Sequence, residues 1–158
     1  MRIFQDYSVN VDFKSRMILI LFRIGNLLYI KRNVMSSVPY YLFLIFYRLF
    51  VEWLLCVELP LKTNVGKRLS IFHGFGLVVN PKVIIGDDVK LRNGVVIGNK
   101  GGSDSGCPII GNDVDVGANA VIIGSITIGN NVKVGAGVVV TKNLNSNQIA
   151  VSAAFRIL

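Results

Sequence analysis

The chain's 158 residues suit one domain plus an appendage, and at 52% hydrophobic against 16% charged it is apolar for a soluble protein. A formal charge of +8 points to an anionic partner, but the basic residues are scattered and no nucleic-acid motif accompanies them. That sets nucleic acid aside in favour of phosphates, anionic lipid or acidic glycan. Two distant cysteines, Cys56 and Cys107, exclude a disulfide framework and fit a reducing cytoplasm.

Residues 1–10 lack the small-residue cleavage site of a secretory leader, and Arg23 interrupts the first apolar run. From 13 to 30, Met17, Leu21, Ile24 and Leu28 recur at helical spacing, which predicts a helix. Residues 31–39 read as a break. Residues 40–57 predict a second helix, apolar nearly all round, ended by Pro60. Arg48 and Glu52 are four apart there and can pair on one face. This helix is about long enough to span a bilayer, yet two charges near its middle weigh against that. Two other readings stay open. It packs against the base of the following domain or between subunits, or it lies on a membrane surface, helped by Arg23, Lys31 and Arg32. Twelve of the fifteen aromatic residues fall within residues 1–57, so these form an α-helical segment distinct from residues 58–158.

The second region is periodic. Ile110, Val116, Ile122, Ile128, Val134 and Val140 recur every sixth residue, and Gly follows four of them. A parallel ladder runs two residues ahead: Val114, Ala120, Ile126, Val132 and Val138. The same rhythm appears earlier as Val79, Ile85, Leu91 and Ile97, with Val83, Val89 and Val95 beside it. A period of six fits neither an ordinary helix nor strand alternation. It fits a coiled parallel sheet, in which each hexapeptide gives a short strand and a corner. Three hexapeptides close a triangular coil of about 18 residues, and coils stack roughly 4.8 Å apart to bury a shared interior.

Two places break the rhythm. The stretch NKGGSDSGCP at 99–108 is polar and Gly-rich and must leave the coil as a loop. The other break is at residues 73–76, where the ladder steps eight residues from Ile71 to Val79. The chain's single histidine, His73, sits there beside glycines. A lone histidine is ordinarily structural. Its place at a break, within about 25 residues of a second one, raises it to a candidate general base, since imidazole titrates near neutrality. Glu58 precedes it by 15 residues, less than one coil, and is either its carboxylate partner or a helix-end charge.

The repeat pattern resembles hexapeptide-repeat acyltransferases over nearly two thirds of the chain. The stretch VNPKVIIGDDVKLRNGVVIGNKGGSDSGCPIIGNDVDVGANAVIIGSITIGNNVKVGAGVVV looks most like the colanic-acid and capsule O-acetyltransferase branch, as does YRLFVEWLL. The resemblance implies a mainly β fold, a left-handed parallel β-helix behind an N-terminal α-helical segment. It also implies a homotrimer with its site between neighbours, and acetyl-CoA as co-substrate without a metal.

The segment from Glu58 to Val79 resembles the part of serine acetyltransferases where an Asp and a His form the catalytic pair. By that likeness His73 is the base, and Glu58 replaces the Asp with one more methylene. Gly98, Asn99, Ala118, Ala136, Lys142 and Arg156 fall at the implied acetyl-CoA site. The implied mechanism is direct transfer, with a backbone amide near Gly98 and Asn99 on the oxyanion. The tail at 151–158 departs from the family's Gly-x-Pro-Ala-Arg ending.

Other departures bear on the acceptor. The loop Arg-His pair that helps bind serine is Gly106 and Cys107 here, and most of the long N-terminal helical domain is missing. Both point to a sugar hydroxyl in capsule, exopolysaccharide or O-antigen synthesis. A serine O-acetyltransferase is the alternative, and a trimeric membrane-associated scaffold for glycan assembly is the non-enzyme reading. A zinc enzyme of the anhydrase type needs three histidines, which one per chain does not supply at a single interface. A sugar nucleotidyltransferase needs a further domain, for which there is no room. Nothing in the sequence marks Cys107 as a thiolate nucleophile.

Overall fold

The computed structural model describes residues 3–31, 37–101 and 106–152. Helix α1 (Phe13–Lys31) forms where the apolar spacing predicts it, but it packs through Ile18, Leu19, Phe22 and Arg23 and leaves Met17, Leu21, Ile24 and Leu28 half-buried. Helix α2 (Ser37–Tyr47) runs into a π-helical stretch, Arg48–Leu54, where the Leu55 N–H donates to the Phe50 carbonyl at 3.1 Å. The helical stretch therefore stops at Leu54, short of the expected residue 57. Cys56 takes a left-handed φ of 53° and turns the chain, and Val57 already pairs as a strand. Pro60 lies inside the first coil and does not end the helix. Among the described residues no helix is long and apolar enough to cross a membrane.

Among the described residues, fourteen short strands follow and build three parallel sheets. The first face stacks β1 (Val57–Glu58), β4 (Leu77–Val79), β7 (Val96–Gly98), β10 (Val121–Ile123) and β13 (Val139–Val140). The second stacks β2 (Asn64–Val65), β5 (Ile84–Ile85), β8 (Ile109–Ile110) and β11 (Thr127–Ile128). The third stacks β3 (Ser70–Phe72), β6 (Lys90–Arg92), β9 (Asp115–Val116), β12 (Lys133–Val134) and β14 (Ile149–Ala150). Each of the first four coils contributes one strand to each face and the last adds β13 and β14, with Leu144 only bridging Ile128 on the second face; this is a parallel β-solenoid. Every residue of the two hexapeptide ladders is buried. Aliphatic side chains, mostly β-branched, stack coil on coil, and that column of apolar contact is what holds the prism together.

The corners are as regular as the core. Cys56, Gly76, Gly94, Asn119 and Gly137 all have positive φ and form one column, between the third face and the first. Arg68, Asp88, Asp113, Asn131 and Asn147 form another, between the second face and the third. Asn and Asp tolerate this conformation because their short polar side chains bond locally.

The lower end of the solenoid would expose a strand edge, and the N-terminal segment covers it. Ile18, Leu19 and Phe22 of α1 close the apolar interior. Polar side chains satisfy the edge itself. Asn10 donates to the Leu69 carbonyl (2.8 Å) and accepts from the Ile71 N–H (2.8 Å). Asp6 accepts from the Leu69 N–H (3.0 Å) and pairs with the buried Arg23 (2.6 Å), which donates to the Val65 carbonyl (2.9 Å). Asn26 donates to the Leu61 carbonyl (2.7 Å) and Tyr47 to the Leu59 carbonyl (2.8 Å).

Candidate functional site

The break at His73 is a two-residue insertion in one corner. Phe72 is in register with Arg92, whereas the Gly94 N–H bonds the carbonyl of Phe75, the residue before Gly76. His73 and Gly74 are the surplus. Val57 consequently pairs with Leu77, twenty residues on, where Val121 pairs with Val139 after eighteen. Gly74 is buried: a Cβ there would sit 3.0 Å from Ile71 and 3.5 Å from Ile18 of α1. His73 is thrown outward. Its φ of 54° belongs to neither corner column, so the only histidine also has a backbone geometry that the repeat does not require.

The same corner continues upward through the stack. The Asn119 N–H donates to the Asn93 carbonyl (2.9 Å) and the Gly137 N–H to the Ala118 carbonyl (2.8 Å). Phe75, Asn93, Ala118 and Ala136 thus occupy one vertical line, on coils one to four. Ala118 and Ala136 are stacked as expected, and Ala136 is exposed. At Gly117 a side chain would strike the backbone of Ala136, so glycine keeps these two corners in contact.

The second break lies on a different corner. Val79 pairs with Ile97 after eighteen residues, but Ile84 pairs with Ile109 after twenty-five, so the loop leaves between the first and second faces. Residues 102–105 of this loop lie outside the described part. Lys100 lies along Gly124, and its ammonium reaches the Thr141 carbonyl at 3.5 Å, one residue before the exposed Lys142. Gly98, Asn99 and Lys142 are therefore on the loop corner, while His73, Ala118 and Ala136 are on the other. Within one chain the first face separates the two groups. Arg156 lies outside the described residues.

Glu58 is exposed on β1, beside the corner that carries His73, and no ion pair or hydrogen bond joins the two side chains among the described residues. The charge of Glu58 is felt in the π-helical stretch, at Glu52. Burial raises the Glu52 carboxyl above its usual range; Arg48 opposes this and the charge of Glu58 adds to it. Partial burial pushes the Cys107 thiol up, against a weaker pull from Lys82, so Cys107 stays a protonated thiol at neutral pH. Among the described residues no three His, Cys, Asp or Glu side chains gather as a metal site would need.

One feature of the site was missed from sequence. Only Phe72, Phe75 and Phe155 are aromatic beyond residue 57, and two of the three flank His73. The signal was their rarity in the repeats. Each of the two rings has a cation beside it: Arg92 at 5.6 Å from the Phe72 centroid and Lys14 at 5.7 Å from that of Phe75.

The fold is thus a hexapeptide solenoid with its single imidazole extruded at one corner and a longer insertion at another. The profile of the hexapeptide repeat of succinyl-transferase matches residues 108–142. The chain is 39% identical over 127 residues to the Escherichia coli K12 protein named as a colanic acid biosynthesis acetyltransferase, WcaB, covering 80% of this chain and 78% of that one. It is 33% identical over 98 residues to a Helicobacter pylori serine acetyltransferase, covering 61% of this chain and 57% of that one. Its structure superimposes on Neisseria gonorrhoeae serine acetyltransferase (CysE) in complex with serine with a TM-score of 0.74 and 28% identity, covering 89% of this chain and 55% of that one. Serine acetyltransferase isoform 3 of Entamoeba histolytica, at 24% identity and a TM-score of 0.76, shares the fold; the chain covers 50% of its length. The chain thus spans about half the length of the solved serine acetyltransferases it matches. The chain belongs to the hexapeptide-repeat acyltransferase family.

Proposed function

We propose that this acyltransferase moves the acetyl group of acetyl-CoA to a sugar hydroxyl in polysaccharide synthesis. The observation that carries the reading is the exposed His73 on its inserted corner, directly below the Ala118–Ala136 column. The pantetheine arm lies along that column, where small side chains let it approach the backbone. His73 takes the proton from the acceptor hydroxyl. The oxygen attacks the thioester carbonyl, and a backbone amide at Gly98 or Asn99 of a neighbouring copy holds the oxyanion. The carbon–sulfur bond then breaks, and His73 returns the proton to the CoA thiolate. Glu58 orients the imidazole, and Lys142 and Arg156 take CoA phosphates. Copies assemble as trimers. The similarity to WcaB over four fifths of the chain favours a sugar over serine, as do Gly106 and Cys107 in the loop. The test is release of CoA thiol with sugar acceptors. His73→Asn is expected to lower kcat at least about a hundredfold; activity left intact, or transfer to serine alone, overturns the reading.

We further propose that the protein works in the cytoplasm, peripherally on the inner face of the membrane. Val38, Leu42, Ile45, Leu49 and Trp53 recur at helical spacing on the outside of α2 and the π-helical stretch, and all are about half exposed or more. An apolar helix with one face uncovered needs a cover. Residues 1–57 carry seven basic and three acidic groups, so a second such base is repelled and an anionic bilayer attracted. Co-flotation with anionic vesicles, lost in Leu42→Glu/Trp53→Glu, is the expected result. Flotation unchanged by those substitutions, or none from the outset, rejects a membrane.

A further inference from the structure

The geometry points to an acceptor subsite on the base side of His73, formed by the Phe75 ring and the Lys14 ammonium, that takes a sugar bearing an anionic group. This rests on His73 being the base of acetyl transfer.

The corner column fixes the direction of approach. Ala118 and Ala136 stand on the third and fourth coils, so acetyl-CoA reaches His73 from above. The acceptor must come from the other side, because the imidazole has to touch its hydroxyl while the thioester carbon faces it. On that side lies the start of α1. Gly74 packs on Ile18 there, and Lys14, one turn before Ile18 on the helix, has its ammonium 5.7 Å from the Phe75 centroid.

Phe75 is 62% exposed beside the base, at a place where the repeat needs no aromatic residue. An exposed flat ring next to a reacting group offers a surface on which a ligand can stack. The axial C–H face of a pyranose fits, and leaves the sugar's hydroxyls at the rim. The ammonium sets the charge. Of the two cations beside the rings flanking His73, Arg92 is neutralised by Asp115, whereas Lys14 has no ion-pair partner among the described residues. Lys14 therefore meets a carboxylate or phosphate on the acceptor, the two groups that pair with a point charge of this kind.

The test compares para-nitrophenyl glucuronide, para-nitrophenyl glucoside and glucosyl phosphate, as acetyl acceptors and as ligands of the inactive His73→Asn protein followed by NMR line broadening. The anionic sugars are expected to have a KM and an apparent Kd about tenfold below those of the glucoside, and the arm with the larger gain separates carboxylate from phosphate. Lys14→Ala should erase that gain and leave the KM for acetyl-CoA unchanged, Lys14→Arg should keep it, and Phe75→Ala should weaken all three sugars. Equal binding of charged and neutral sugars, absence of binding to His73→Asn, or a gain that survives Lys14→Ala overturns the subsite. Loss of transfer in His73→Asn alongside any of these leaves the acetyltransferase standing, so the two failures are distinguishable.

Discussion

His73 carries two separate requirements, one chemical and one conformational. Its imidazole is proposed as the base, and its backbone sits at φ 54°. Asparagine tolerates that conformation well and alanine does not, because a bare Cβ crowds the following carbonyl with no local hydrogen bond in return. The two substitutions should therefore separate chemistry from folding. His73→Asn is expected to lose activity with Tm within about 1 °C of the parent, and His73→Ala to lose activity and about 2–4 °C, following a strain of about 1 kcal/mol. Thermal melts of the two proteins decide it: an equal fall in both would mean that the ring itself holds the corner. The position was legible in the sequence, because an eight-residue step in a six-residue ladder can only be an insertion. The left-handed backbone was not: it goes with the packing of Gly74 on Ile18, in a helix more than fifty residues earlier in the chain.

At the level of elements, the repeat strands are specified by their own spacing and the helices by what they cover. Ladder residues from Val79 to Val140 are all buried, so periodicity alone located them. The end of the second helix was misplaced because its apolar run continues through Val57, and only the turn at Cys56 and the pairing of Val57 with Leu77 reassign that residue to the sheet. The segment before α1 carried no periodic signal, yet it seals the bottom of the third face. Asn10 does this with one amide, which bonds the Leu69 carbonyl, the Ile71 N–H and the Asp6 carbonyl at 2.7–2.8 Å. Asn10→Ala leaves a buried N–H and carbonyl unpaired at a strand edge. That should cost about 2–3 kcal/mol, or about 5–10 °C in Tm. Calorimetry checks the size, and amide exchange at Ile71 checks the place. A melt unchanged within a degree would show that the hook is ornamental to the solenoid.

At the scale of the whole molecule, the three faces differ in what they present outward. The third shows Lys90, Arg92, Asp115 and Lys133, with Arg92 and Asp115 paired, and is suited to water. The first shows Val78, Val96, Val121 and the 61% exposed Val139. It is bordered on one side by the His73 corner and on the other by the loop corner with Gly98, Asn99 and Lys142. If three copies turn this face toward a common axis, the His73 edge of each meets the loop edge of the next. That arrangement brings together the two groups of site residues that a single chain keeps apart. It also predicts complementation. One inactive copy carries His73→Asn, and another has residues 99–107 cut to the Gly-Ser turn found one coil higher. Refolded together in equal amounts, these copies form some interfaces with an intact His73 on one side and an intact loop on the other. Random mixing makes these about one interface in four. The mixture should regain about a quarter of the parent rate, while each variant alone stays inactive. A mixture no more active than its components would place the whole site within one chain, and the loop would then need another role.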